Sequence, residues 1–500
     1  MSQWQSNKPL RESEVWFKKL PAGGDLPWAV LFPNDYSLAA SSSGWQFVFS
    51  FLRWLGVRSE RFCTSPVPYR SLESDTMLER FPVITATISY ECDIINFLSW
   101  LRGANIPLSP SERAKNNFPL IGVGGAITYI NPLAVSGFAD FVILGDGVEE
   151  LSLVVSSIRS YSSGGDREIL WRDLAKNESI FVPPMDITNG ELKRKLKISR
   201  GLDLNSPDYH GHTVFSTQKA ALGKSILIEL QRGCARNCAY CTLPSCFGKC
   251  RQKNFENVAS LVESLCQDYP DHQIGLVTPE AGDYYELDKL LSLLKKHNLS
   301  VSFASLRLDR LSESVLEALA LSGHKSITVA PETASEELRF SCGKKFSDNL
   351  ILEKLLLAKS FGITKAKLYF MIGLPGETDD DVASIPDFCF NLAKQTGLAL
   401  TLTINPFVPK PWTRWQDAPF IGKREAKRRY NLITKMLRQL KGRRLDINFS
   451  SAKEAEEEYN LSWSSIEDSH KLCSNVTLGD HIIDSCDRQK TKDILKKYFV

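Results

Sequence analysis

Short apolar runs and helical spacing alternate along most of this chain. In the first third, four runs read as buried strands: Trp28-Ala-Val-Leu-Phe32, Pro82-Val-Ile-Thr-Ala-Thr-Ile-Ser89, Pro119-Leu-Ile-Gly-Val-Gly124 and Asp140-Phe-Val-Ile-Leu144. Each ends in polar or turn-forming residues, and helix-like stretches such as Phe47-Val-Phe-Ser-Phe-Leu-Arg-Trp-Leu lie between them. Strands alternating with helices predict an α/β fold with a doubly wound parallel sheet, whose ligands sit beyond the carboxyl ends of the strands. After residue 220 the rhythm resumes. Strands are predicted at 225–230, 275–278, 301–305, 326–330, 367–373 and 400–404, with helices between them, and six such βα units make a partial TIM barrel, (βα)6. The expected organisation is a Rossmann-like domain over 1–165, an interdomain strap over 166–220, the partial barrel over 221–445 and a C-terminal extension over 446–500.

Composition narrows the class without naming a chemistry. The 500 residues exceed what one core holds. With 24% charged residues and a net charge of +3, no overall field points to nucleic acid. No apolar run reaches a membrane span, and the first residues lack an apolar signal core, so a cytoplasmic, reducing setting is expected. Twelve cysteines are many for such a setting, but only Cys234, Cys238, Cys241, Cys246 and Cys250 cluster.

Those five sit just after the predicted strand Ser225-Ile-Leu-Ile-Glu-Leu230, in Gln-Arg-Gly-Cys-Ala-Arg-Asn-Cys-Ala-Tyr-Cys. Three thiolates spaced x3 then x2 can each hold one iron of a cubane, leaving the fourth iron open for chemistry. Zinc is the competing reading, with Cys246 and Cys250 as extra ligands, although zinc sites prefer paired C-x2-C knuckles.

This C-x3-C-x2-C loop, with Tyr240 before its third cysteine, resembles the signature of the radical S-adenosylmethionine superfamily. The resemblance implies a 4Fe–4S cluster on Cys234, Cys238 and Cys241 whose open iron chelates S-adenosylmethionine and yields a 5′-deoxyadenosyl radical. Polar residues at later strand ends are similar to motifs of the elongator- and methylthiotransferase-type core. By that likeness Tyr240, Glu280, Gly282, Ser305, Arg307 and Glu332 surround the methionyl and ribose portions, and Gly373, Leu374 and Pro375 of Gly373-Leu-Pro-Gly-Glu-Thr378 flank adenine. An arginine such as Arg307 can fork onto a carboxylate. No residue is assigned a catalytic proton or nucleophile.

Residues 28–152 resemble a cobalamin-binding-type domain, through Phe32-Pro-Asn-Asp-Tyr36, Ile88-Ser-Tyr-Glu91, Gly124-Gly-Ala, Asn131-Pro and Gly145-Asp-Gly-Val-Glu-Glu150. The D-x-H-x-x-G segment that supplies a lower cobalt ligand in some such proteins is missing. The resemblance therefore implies methyl transfer to an unreactive carbon with cobalamin, against two alternatives: a cobalamin-independent radical enzyme acting on RNA, and a non-catalytic iron–sulfur sensor. The implied partner is a one-electron donor such as flavodoxin or ferredoxin; nucleic acid is less favoured. The basic stretch from Gly422 through 441–444 reads as an RNA grip or as the solvated face of a packed helix. Lys410 reads as a solvated loop lysine ahead of a substrate contact. Residues 446–500 receive no chemistry.

Overall fold

The computed structural model describes residues 6–161, 166–440, 445–476 and 485–500. The chain divides into two units, Met1–Ile226 with Asn460–Val500, and Leu227–Tyr459. Residues 166–220 thus belong wholly to the first unit, and 446–500 is shared between the two. The expected boundaries shift because a polar strap and a polar tail both find buried partners in the first unit.

The first unit is built on a six-stranded sheet of β1 (Pro27–Asp35), β2 (Arg58–Ser65), β3 (Val83–Thr87), β4 (Leu120–Gly124), β5 (Phe141–Ile143) and β6 (Ile180–Phe181), in the order β2-β1-β3-β4-β5-β6. All neighbours run parallel except β6, which pairs antiparallel with β5. Trp28 and Trp45 are fully buried, their indoles donating to Thr85 Oγ1 and the Val30 carbonyl, each at 3.0 Å. Burying indoles of this size is favourable only when their N–H groups are so answered.

β2 carries Arg61, fully buried, which no apolar pattern announces. Its guanidinium forks onto Glu14 at 2.8 and 2.9 Å, donates through Nε to Glu73 at 2.6 Å, and lies within 5.6 Å of the rings of Trp16, Trp45, Phe49 and Phe215. Asp140, just before β5, is equally enclosed. It accepts from Arg113 (2.7 and 3.2 Å), the Ile121 amide (2.8 Å) and the Trp171 indole (3.2 Å), tying the helix Arg167–Leu174 to the sheet.

The C-terminal segment completes this unit. Trp463, Leu472 and Val476 are fully buried, and the chain end pairs with the strap, Leu196 N–H donating to the Tyr498 carbonyl at 2.7 Å. The strap in turn pairs through Ser199 with Gly145.

Among the described residues, the second unit has seven strands of three or more residues: β7 (Ser225–Glu229, which straddles the boundary), β8 (Gln273–Val277), β9 (Val301–Phe303), β10 (Ser326–Glu332), β11 (Lys365–Ile372), β12 (Ala399–Pro406) and β13 (Leu445–Phe449). They form a three-stranded group, β7-β8-β9, and a four-stranded group, β10-β11-β12-β13, the latter parallel throughout. β13 was not among the expected strands; it extends the sheet beyond the sixth.

Charged residues of the C-terminal half find internal partners. On the helix Gly422–Gln439, Arg428, half exposed, pairs with Asp379 and Glu425, and Arg429 with Glu377 and Glu425. Those acids lie on the same helix and at the start of the helix Asp379–Thr396, where negative charge also suits the helix dipole. Residues 441–444 of the same stretch lie outside the described residues, as does the 162–165 part of the expected linker. Lys410 is mostly buried and ion-paired with Glu458 at 2.6 Å, so it is neither a solvated lysine nor a free substrate contact. Among the described residues no helix is long and apolar enough to cross a membrane.

Removing one member of a buried ion pair leaves the other uncompensated. Asp140→Ala should therefore lower the stability of the first unit by about 3–5 kcal/mol; an unchanged urea midpoint in tryptophan fluorescence would contradict the role given to Asp140.

Candidate active site

Parallel strands deliver their carboxyl ends to one edge, and in the second unit the chemistry-bearing residues follow those ends. The cysteine loop begins four residues beyond β7. Its base is a short antiparallel pair, Gln231–Arg232 with Arg251–Gln252, and Gly233, at φ +78°, lies so close to the Lys249 and Gly248 carbonyls that a side chain would collide with them. The loop is thereby clamped before its first thiol.

Cys234, Cys238 and Cys241 all line a cavity of about 390 Å³. The Arg236 amide donates to Cys234 Sγ at 3.4 Å, and Arg307 Nη1 approaches Cys238 Sγ at 3.7 Å. N–H groups and a guanidinium aimed at sulfur favour thiolates and are the surroundings that iron–sulfur ligands need. Burial pushes the Cys241 thiol up to about 11, so its ligation must displace a proton. Among the described residues no three His, Cys, Asp or Glu side chains are gathered for a single metal ion. Tetrahedral zinc needs its thiolates within about 3.8 Å of one another, whereas a cubane gives each thiolate its own iron. Cys246 is buried in the helix Leu243–Phe247, and Cys250 is half-buried just before Arg251 of the hairpin; neither lines the cavity.

Of the residues expected around the cosubstrate, Tyr240, Glu280, Ser305 and Arg307 line this same cavity. Glu280 follows β8 and is almost fully buried. Its Oε1 accepts from the Gly282 amide at 3.0 Å, while Oε2 is buried without a partner. Desolvation, assisted by Asp283, raises its pKa to about 7 against the pull of the Gly282 amide and Arg307. A half-satisfied carboxylate in a cavity wall is costly unless a cation or donor arrives. Gly282 supports this carboxylate from the following turn.

Arg307 forks onto Asp309, at 2.9 and 3.3 Å, two residues along its own chain. The fork expected to meet a cosubstrate carboxylate is thus engaged inside the protein, and Nη1 is turned to Cys238. Glu332 stands behind the cavity wall rather than in it. It closes β10 at φ +74°, a left-handed backbone that is strained for a residue with a side chain. The turn delivers its carboxylate to the Tyr240 hydroxyl and to Lys344 Nζ at 3.1 Å. Gly373, Leu374 and Pro375 are not among the lining residues. Leu374 packs with Cys342, Phe407 and Tyr240, and the Gly373 amide donates to Glu377.

Three basic lining residues went unnoticed in the sequence. Arg236, inside the cysteine loop, forks onto Asp283. Lys344 reaches the site from 103 positions after the third cysteine, with no spacing to reveal it. His324, whose Nε2 lies 2.9 Å from the Val301 carbonyl, lines the opposite end between β9 and β10.

Family comparison matches residues 39–183 to the family described as radical SAM proteins, N-terminal, and residues 228–389 to the radical SAM superfamily, together well over half of the chain. This chain belongs to the radical S-adenosylmethionine superfamily. It is accordingly a radical enzyme, and its cofactors are a 4Fe–4S cluster and S-adenosylmethionine. It is 26% identical over 426 residues to the uncharacterized protein MJ0966 of Methanocaldococcus jannaschii, covering 85% of this chain and 86% of that one. To the ribosomal protein uS12 methylthiotransferase RimO of Clostridium acetobutylicum it is 25% identical over 35% of this chain and 43% of that one. Its fold is similar to the methyltransferase TsrM from Kitasatospora setae, solved with tryptophan and a S-adenosylmethionine analogue. The TM-score is 0.51 at 14% identity, over 78% and 75% of the two chains. It is also similar in fold to the cobalamin-dependent radical enzyme OxsB, with TM-score 0.51 and 14% identity, over 73% of this chain and 52% of that one.

The raised Glu280 pKa has a measurable sign in the cofactor-free protein. A carboxyl that holds its proton more tightly when folded adds stability below the unfolded pKa, and this is lost as pH rises through about 7. Glu280→Gln should therefore gain on the parent protein between pH 5 and pH 8, by roughly 2–3 kcal/mol. A stability difference constant with pH would show that Glu280 is ordinarily solvated.

Proposed function

We propose that this enzyme cleaves S-adenosylmethionine reductively at Cys234, Cys238 and Cys241 and uses the radical for cobalamin-assisted methylation of an unreactive carbon. In this reading the second unit is a partial (βα)6-type barrel with one added strand, the first a doubly wound cobalamin-binding sheet, and the electron comes from a flavodoxin or ferredoxin. The observation that carries the reading is the gathering of three loop thiols and the half-satisfied Glu280 around one 390 Å³ cavity. When bound, the cluster supplies the electron that breaks the cosubstrate's C–S bond, and cobalamin supplies a methyl carrier.

The chain's own residues have separable tasks. Glu280 Oε2 accepts from the cosubstrate ammonium, which lowers its pKa and discharges the desolvation cost. Arg307, steadied by Asp309, offsets thiolate charge at Cys238. Glu332 and Lys344 orient Tyr240, which holds the cysteine loop against the cavity.

For cobalamin, support comes from the carboxyl edge of the first sheet. No atom lies within 4 Å of where a Gly124 side chain would begin, so the middle of that edge is open. Asn34, near the end of β1, and Asp93, which opens the helix Asp93–Gly103 after β3, are hydrogen-bonded to each other at 3.2 Å, and amide and carboxylate groups suit an amide-fringed corrin. The loops 32–45, 88–92, 124–131 and 144–149 contain no histidine, so binding without a lower protein ligand is the form expected.

Anaerobic reconstitution with and without hydroxocobalamin tests both halves. Any one of Cys234→Ala, Cys238→Ala or Cys241→Ala should abolish bound iron and 5′-deoxyadenosine formation, while Cys246→Ala and Cys250→Ala keep both. Iron retained in the triple variant would sink the cluster assignment. Protein that emerges from gel filtration free of cobalamin, with cleavage intact, would leave a radical enzyme whose sheet serves another ligand.

A further inference from the structure

The carboxyl edge of the first sheet is bordered by a segment from the other end of the chain. The loop after β3 is bolted to the loop after β4: Ile88 N–H donates to the Gly124 carbonyl at 2.9 Å, Ile127 N–H to the Ile88 carbonyl at 3.2 Å, and Gly125, at φ +98°, allows the contact. Both loops then meet the C-terminal segment through groups that are almost wholly buried. Ser462 Oγ donates to Glu91 Oε1 at 3.0 Å. Asn131 Nδ2 donates to the carbonyls of Ser462 (3.2 Å) and Ser464 (2.8 Å). Ser469 Oγ donates to the Ala134 carbonyl at 2.8 Å and accepts from the Gly137 amide at 2.9 Å. Glu91, Asn131, Ser462 and Ser469 are each no more than 3% exposed.

Glu91 and Asn131 belong to stretches through which residues 28–152 resemble a cobalamin-binding-type domain. They face the protein's own tail, and the tail does not yield easily. Trp463 is fully buried, and its carbonyl accepts from Thr491 Oγ1 at 2.7 Å. A buried carboxylate that receives a hydroxyl proton donor keeps its loop in one place, and the loop held here borders the open space at Gly124.

We infer that Ser462 and Asn131 are positioning residues for the ligand of this edge: the C-terminal segment fixes loops 88–92 and 124–131, and with them the shape of the site beside Gly124. The inference rests on the cobalamin reading for the identity of the ligand, but not for the coupling between tail and loops.

The test uses the full chain with its cluster reconstituted. Hydrogen exchange followed by mass spectrometry, on cobalamin-free protein, reports the loops; titration with hydroxocobalamin, read by visible absorption, reports the site. Ser462→Ala should speed exchange across 88–92 and 124–131 while leaving peptides of 227–459 unchanged, and should weaken cobalamin binding about tenfold or more. Ser462→Thr, which keeps the hydroxyl, should restore both. Should Ser462→Ala fail to fold, Ser462→Cys, a weaker donor, takes its place. Parental exchange in the loops, or parental affinity despite faster exchange, would overturn the inference. Faster exchange in a protein whose parent takes up no cobalamin would support the coupling and overturn the cofactor reading instead.

Discussion

Parallel strands have one shared outlet, and this constraint organises both units. Any side chain placed just after a strand's last residue shares a small volume with its counterparts from neighbouring strands, however distant in sequence. Cys234, Glu280, Ser305 and Arg307 come together for this reason, from segments spread over more than seventy residues. The hydrogen-bonded pairing stops between β9 and β10, and the cavity runs along that interruption, lined by residues of both strands.

Buried charge separates scaffold from site. Asp140 in the first unit and Glu332 in the second are enclosed carboxyls with their donors supplied by the protein, so each fixes neighbouring backbone. Glu280 is enclosed too but has one oxygen without a donor. An unmet buried acceptor costs about 1–3 kcal/mol, and folded proteins keep few of them. A group of this kind facing a cavity beside three thiols reserves a place for something that brings a cation.

Much of this was legible because apolar runs dictate strands. The runs around residues 28, 83, 120, 226, 274 and 400 became strands, and the cysteine spacing led to the site. What escaped was whatever depends on charge being satisfied internally. β2 reads as a polar segment because of Glu60 and Arg61, and only Glu14 and Glu73, remote in sequence, make its burial tolerable. The strand Leu445–Phe449 does alternate apolar and polar residues, but over only five positions, and the buried run after Asn460 is written in hydroxyls and single aromatics, which carry no periodicity. Glu332 was read as a ligand contact because it follows a strand, yet its backbone twist turns it towards Tyr240. Lys410 looked solvated because its acid lies forty-eight positions away.

The first unit is assembled from two pieces of chain separated by the whole of the second. A nascent chain that has emitted residue 226 still lacks Trp463, Ser462 and Ser469, and hence the partners of Asn131 and Glu91. At roughly 5–20 residues per second the ribosome needs about 12–47 s more to reach residue 460. Through that interval the sheet's edge loops are exposed and the apolar seat of Trp463 is empty, so the earliest unit to emerge is the last to be finished. Premature termination or tail proteolysis would therefore injure the amino-terminal half of the protein first, leaving the cysteine loop and its cavity chemically complete.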